Sequence, residues 1–217
     1  MRFLALVIVT SVLTEFAGAA PFTENFETAE VGKLPGGFAA YAGAFKVNEE
    51  MGRRFLELPG APLDTFGVLF GPAFQPAATA GKPVSASGKF YGTGVKRKAP
   101  AFGISLGGVG GYRLQVSAAK GAVEIFKGDE ARASAPFQWT SGTWTSLRIQ
   151  FRQSGGKWVV EGKAWPADAT EPGQWTITYE APEPPPPGKA AVWGNPFSGT
   201  PIRYDDLSVD GGEPPAK

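Results

Sequence analysis

The sequence predicts an all-β protein made of two packed antiparallel sheets, and three observations carry that expectation. Short stretches rich in Val, Ile, Phe, Tyr and Trp are punctuated by 30 glycines and 20 prolines, the cadence of strands separated by turns. Within the clearest stretches apolar and polar residues alternate with a period of two, as they do when one sheet face is buried. Beyond Ala19 no segment carries an apolar repeat at helical spacing.

In chain order, residues 1–19 come first. Arg2, the apolar run from Phe3 to Val9 continuing to Leu13, and Ala17-Gly18-Ala19 fit a secretion signal with its small-x-small cleavage site. The run falls short of the roughly 20 residues that span a bilayer, and Glu15 keeps it from extending further. The expectation is an exported monomer, secreted or periplasmic, with no membrane span. Residues 20–210 then form a single β-sandwich domain and 211–217 a disordered tail.

The end segments Glu24-Asn25-Phe26-Glu27 and Tyr204 to Val209 are expected to meet, so that the two termini close the sandwich. Strands are expected at Arg54–Leu58, Gly67–Phe70, Val84–Tyr91, Phe102–Leu106, Tyr112–Ser117 and Val123–Phe126. Five more are expected at Trp144–Phe151, Trp158–Ala164, Trp175–Tyr179, Ala190–Trp193 and Ile202–Val209. In the clearest of them Leu147, Ile149 and Phe151 point one way and Arg148 and Gln150 the other. Tyr112, Leu114 and Val116 oppose Arg113, Gln115 and Ser117 in the same manner. Val84, Ala86 and Phe90 oppose Ser85, Ser87, Lys89 and Tyr91, with a slip near Gly88. Gly107 to Gly111, Lys120-Gly121 and Ser154-Gly155-Gly156 are hairpin turns. Pro182 to Pro187 is a stiff loop.

Composition removes several chemistries. Cysteine and histidine are both absent, which takes away disulfides, Ser-His and Cys-His catalysis and the nitrogen and sulfur ligands of zinc. Lys plus Arg (21) nearly balance Asp plus Glu (20), so no bulk field draws nucleic acid or an anionic membrane. Lys96-Arg97-Lys98 reads as a solvated loop tip.

Candidate motifs fall one by one. Ser117-Ala118-Ala119-Lys120 has the S-x-x-K spacing but ends a strand instead of opening a helix, and its partner motifs are missing. No glutamate is followed two places later by aspartate, so the E-x-D pattern of β-sandwich glucanases is absent. The glycine string from Gly107 lacks a Lys-Ser/Thr and a subsequent helix. No catalytic constellation is complete.

Two candidate sites remain. The polar sheet positions Lys89, Tyr91, Arg113, Gln115, Glu124, Arg148 and Gln150 offer donors, acceptors and a ring for a ligand groove; a solvated sheet back would show the same residues. Trp139, Trp165, Trp175 and Trp193, near loops or strand ends, are candidates for stacking on sugar, while Trp144 and Trp158 staple the sheets. Asp205 or Asp206 with Glu27 offers an oxygen-lined cation site suited to calcium; the competing reading pairs the aspartates with Arg203 or Lys33.

Phe26-Glu27 with Gly32-Lys33-Leu34-Pro35, then Phe102-Gly103-Ile104-Ser105-Leu106-Gly107, Trp144-Thr145-Ser146-Leu147-Arg148-Ile149 and Tyr204-Asp205-Asp206-Leu207 resemble the concanavalin A-like lectin/glucanase superfamily, in its laminin G-like exported bacterial branches. The resemblance covers almost all of the chain after Ala19 and implies a jelly-roll sandwich. It also implies a structural calcium between first and last strands, held by Glu27 and by Asp205 or Asp206. The superfamily contains sugar-binding modules, glucanases, lyases and adhesive domains. A non-catalytic module that binds glycan or another extracellular polymer is the leading reading. A polysaccharide hydrolase or lyase, and a structural module of the bacterial envelope, are the alternatives.

Overall fold

The computed structural model describes residues 21–76, 79 and 82–211. The expected secretion signal and all but the first residue of the expected tail lie outside these. Among the described residues fifteen strands form two antiparallel sheets. The first sheet runs in the order β13 (Ile177–Ala181), β12 (Lys157–Pro166), β11 (Trp144–Ser154), β6 (Val84–Tyr91), β15 (Ile202–Asp210), β4 (Arg53–Leu58), β3 (Lys46–Glu50), with β1 (Phe22–Glu24) also paired to β15. The second runs β10 (Glu130–Pro136), β9 (Ala122–Lys127), β8 (Tyr112–Ser117), β7 (Ala101–Leu106), β14 (Gly188–Asn195), β5 (Phe66–Phe74), β2 (Ala39–Ala42). This is a concanavalin A-like jelly-roll sandwich.

The termini meet as expected, through Phe22 opposite Val209 and Glu24 opposite Leu207. β4 and β1 share one edge of β15, β4 against Ile202–Tyr204 and β1 against Leu207–Val209. Between them Asp206 takes a left-handed φ of 47°, and the pairing of β15 with β6 shifts between Asp205 and Ser208. The bulge turns the two aspartates toward different partners.

Period-two alternation builds the core. Val84, Ala86, Gly88 and Phe90 of β6 all face inward, so the expected slip at Gly88 does not occur; a Cβ there would come within 2.5 Å of Leu207 Cδ2. Phe90 stacks on Phe102 of the opposite sheet (5.6 Å, 13°) and meets Tyr204 edge-on (5.5 Å, 80°). Phe74 meets Phe151 and Trp158 edge-on. The contacts of Phe90 with Phe102 and of Phe74 with Phe151 and Trp158 cross between the sheets and hold the layers together.

Four strands escape the sequence pattern. β2, β3 and β10 lie at sheet edges and carry mostly exposed residues, while β1 is three residues long. An edge strand needs one row of main-chain hydrogen bonds and little burial, so it leaves a weak apolar rhythm. The edge strand β13 starts two residues later than expected, leaving Trp175 ahead of it. The Pro182–Pro187 loop falls between β13 and β14 as expected.

Candidate functional site

The seven polar candidates occupy two sheets, not one face. Lys89 and Tyr91 of β6 and Arg148 and Gln150 of β11 lie on the first sheet; Arg113 and Gln115 of β8 and Glu124 of β9 lie on the second. Alternation places each group outward, on opposite sides of the sandwich. The single expected groove is thus two separate surfaces, and their electrostatics differ.

On the first sheet the charges are spent on one another. Lys89 pairs with Asp206 at 2.7 Å. Arg148 bonds Glu171 at 3.2 Å and Ser85 at 3.1 Å. Gln150 and Arg152 both donate to the buried Glu161. Arg203 lies over the Phe55 and Tyr91 rings and pairs with Glu50 and Glu57. A trough of about 570 Å³ opens beside Trp144, but its two cations, Arg53 and Lys89, already hold carboxylates. Trp144, expected in the core, instead faces outward against Tyr91 at 5.5 Å.

The second sheet presents a cleft of about 240 Å³. Strand pairing sets Phe126, Arg113 and Ser105 in one row, and Gln115, Gly103 and Trp193 in the next. Trp193 donates its indole N–H to Ser105 Oγ at 2.8 Å. Its ring packs so closely on Gly67 that a Cβ there would lie 2.8 Å from it, which explains the glycine in β5. The Arg113 guanidinium sits 5.0 Å from the Phe126 ring centroid and 5.3 Å from that of Trp193, a cation–π sandwich. Burial pushes Arg113 below its ordinary pKa, with Asp129 acting the other way.

Arg113 and Asn195 line this cleft, and each buries a polar atom with no partner among the described residues: Arg113 Nε, a donor, and Asn195 Oδ1, an acceptor. The Asn195 amide donates to Thr65 Oγ1 at 3.1 Å, which fixes the direction of its carbonyl oxygen. Buried groups without partners are costly, and a ligand recovers that cost when these side chains turn their buried atoms toward it. Phe197 and Tyr41, 50% and 60% exposed, present ring surface at the cleft and beside Trp193.

Gln115 lines the cleft and is joined to the buried Glu124, outside it, by a self-contained chain. Gln115 donates to Ser117 Oγ, which donates to Glu124, and Lys120 caps the same carboxylate at 3.0 Å. Of the expected stacking residues, Trp139, Trp165 and Trp175 are half-buried and Trp193 is buried. Trp158 lies in the core as expected. Asn195, Phe126, Asp129 and Phe197 were not singled out by the sequence pattern. The signal was there for two: Phe126 is two residues beyond Glu124, and Asn195 two beyond Trp193, each on the same face.

The three acidic residues expected at a cation site take separate surroundings. Asp205 accepts from Arg53 at 2.8 Å and from the Asp206 backbone N–H at 2.8 Å. Asp206 faces Lys89, and Glu27 is exposed. Among the described residues no three potential metal ligands converge. Arg53 and Lys89 thus stand where Arg203 and Lys33 were the expected partners of the aspartates.

Asp205 makes the protein's stability sensitive to pH. Burial pushes its carboxyl from the ordinary 3.8 up to about 6, against the opposing pull of the Asp206 N–H and Arg53. The folded state therefore binds the proton more tightly than the unfolded chain, and this contribution is full below the unfolded value and lost as pH rises through about 6. From pH ~4 to ~7, the stability of the wild type should fall relative to Asp205→Asn by about 2 kcal/mol in denaturant unfolding. A difference that stays flat or rises would mean that Arg53 holds Asp205 ionised throughout.

No family model matches the chain, and no curated protein matches its sequence. Solved structures do share its fold. Lectin II from Ulex europaeus is 14% identical, with a TM-score of 0.55, over 89% of this chain and 97% of that one. Lectin I-B4 from Griffonia simplicifolia, in a metal-free form, is 12% identical, with a TM-score of 0.55, over 88% and 99%. The carbohydrate-binding module CBM66 from Bacillus subtilis is 8% identical, with a TM-score of 0.51, over 79% and 93%. At these identities the likeness establishes one thing, that the chain has the concanavalin A-like fold.

Proposed function

We propose that this protein is an exported, non-catalytic jelly-roll module that binds glycan through the outer cleft of its second sheet. One observation carries the reading: the Arg113 guanidinium, without an ion pair among the described residues, and the Asn195 amide line one cleft among aromatic rings. Sugar rings offer both kinds of surface, hydroxyls for such groups and an apolar C–H face for rings like Phe197 and Tyr41. The volume of about 240 Å³ lies below the ~300–1,000 Å³ of drug-sized pockets and suits a single sugar residue of a chain. The fold's occurrence in lectins and a carbohydrate-binding module supports the reading. Glu124, buried outside the cleft and tied to Ser117 and Lys120, takes a structural part and not that of an acid–base catalyst. Calcium stays outside this reading, because Arg53 and Lys89 already neutralise the aspartates.

The test is a glycan array spanning plant, algal and bacterial polymers, then affinity gel electrophoresis. Retardation without new reducing ends is expected, and Asn195→Ala should weaken it by about five- to tenfold, the worth of one buried hydrogen bond. Silence across the array would remove the proposal. New reducing ends from a bound polymer would make the protein a hydrolase or lyase instead.

A further inference from the structure

We propose that the glycan recognised at this cleft is acidic, with Arg113 as the receptor for a carboxylate carried on the sugar ring. The inference rests on the binding reading above and narrows it to one ligand class. Its ground is a contrast between the two outer faces. On the first sheet Arg53, Arg148, Arg152 and Arg203 each reach a carboxylate within the protein. Arg113, the guanidinium of the cleft, forms no ion pair among the described residues; its buried Nε lacks a partner there, as does that of Arg148.

Two rings hold that guanidinium in place. Phe126 and Trp193 flank it at 5.0 and 5.3 Å, and the indole N–H bond to Ser105 fixes the second ring. The rings strip water from the cation and supply only weak quadrupole compensation. A desolvated charge gains most from an opposite charge, and the planar guanidinium fork matches a carboxylate by two parallel hydrogen bonds. Neutral hydroxyls can occupy the same positions but leave the charge uncompensated.

Asp129 also lines the cleft and faces Arg113 electrostatically without pairing with it. It disfavours a ligand that is anionic all over, such as a polyphosphate. A uronate-type ring fits better, since its carboxylate meets Arg113 while its hydroxyls donate to Asp129. Each charged group in the cleft then has a partner of the right kind.

Affinity electrophoresis tests the idea with polygalacturonate, alginate and hyaluronan, each run beside the same polymer after carboxyl reduction. At least one acidic polymer should retard the wild type at least about tenfold more than its reduced counterpart, the weight of one charge-assisted bidentate contact. Arg113→Gln should lose that difference, and Arg113→Lys should keep part of it, with thermal unfolding confirming that both fold. Equal retention of acidic and reduced forms would overturn the carboxylate receptor while leaving glycan binding intact. So would an Arg113→Gln protein that still prefers the acid. Retention of none of the acidic polymers overturns the proposal as well, and binding of neutral glycans on the array then decides separately whether the cleft is a sugar site.

Discussion

Phe90→Ala is expected to lower the unfolding free energy by about 3–5 kcal/mol, the usual cost of removing a ring from a packed core. Phe90 is fully buried on β6. Its ring is stacked on Phe102 of the opposite sheet and crossed edge-on by Tyr204 of the neighbouring strand. The truncation therefore opens a cavity between the layers, where each sheet is fixed by its own hydrogen bonds and collapse is resisted. With no cysteine in the chain, no disulfide offsets the loss. Urea unfolding monitored by tryptophan fluorescence measures it, and Phe90→Leu, which keeps most of the volume, should cost much less. A cost for Phe90→Ala below about 1 kcal/mol would show that the sheets do not pack through this ring.

Trp193→Ala should abolish measurable glycan retention, a loss well beyond about tenfold of the kind seen at interface anchors. Trp193 forms one wall of the Arg113 sandwich, fills the space above Gly67 and holds Ser105 through its N–H. Removing it frees the guanidinium to swing into solvent and pair with water. It also strips the surface against which Tyr41 packs at 6.1 Å. Because Trp193 is 8% exposed, some stability is lost too, so binding is compared under conditions where circular dichroism shows the variant folded. Unchanged retention by a folded Trp193→Ala protein would remove the cleft from the function.

The sheet interior was legible in the sequence because burial imposes a code on it. β6 and β8 fall on the residues that alternation marked, and β15 extends one residue past them. The edges were not legible, since β2, β3 and β10 need no buried face. The site was only half legible for a different reason. Alternation tells inward from outward but not which of two outward surfaces a residue joins, so Arg113 and Arg148 looked equivalent. Strand order separates them: β8 lies beside β7 and β9, whereas β11 lies between β6 and β12. The partners of the two aspartates were not legible, because the left-handed Asp206 forms a bulge between residues that adjoin in sequence.

In the proposed function the second sheet's outer face, and not the first's, meets the ligand. Arg113→Ala and Arg148→Ala, run side by side on the same retarding glycan gel, test this most directly. Arg113→Ala should lose retention by at least about tenfold while Arg148→Ala migrates like the wild type. Retention lost in Arg148→Ala and kept in Arg113→Ala would place the site on the opposite side of the sandwich and contradict the account.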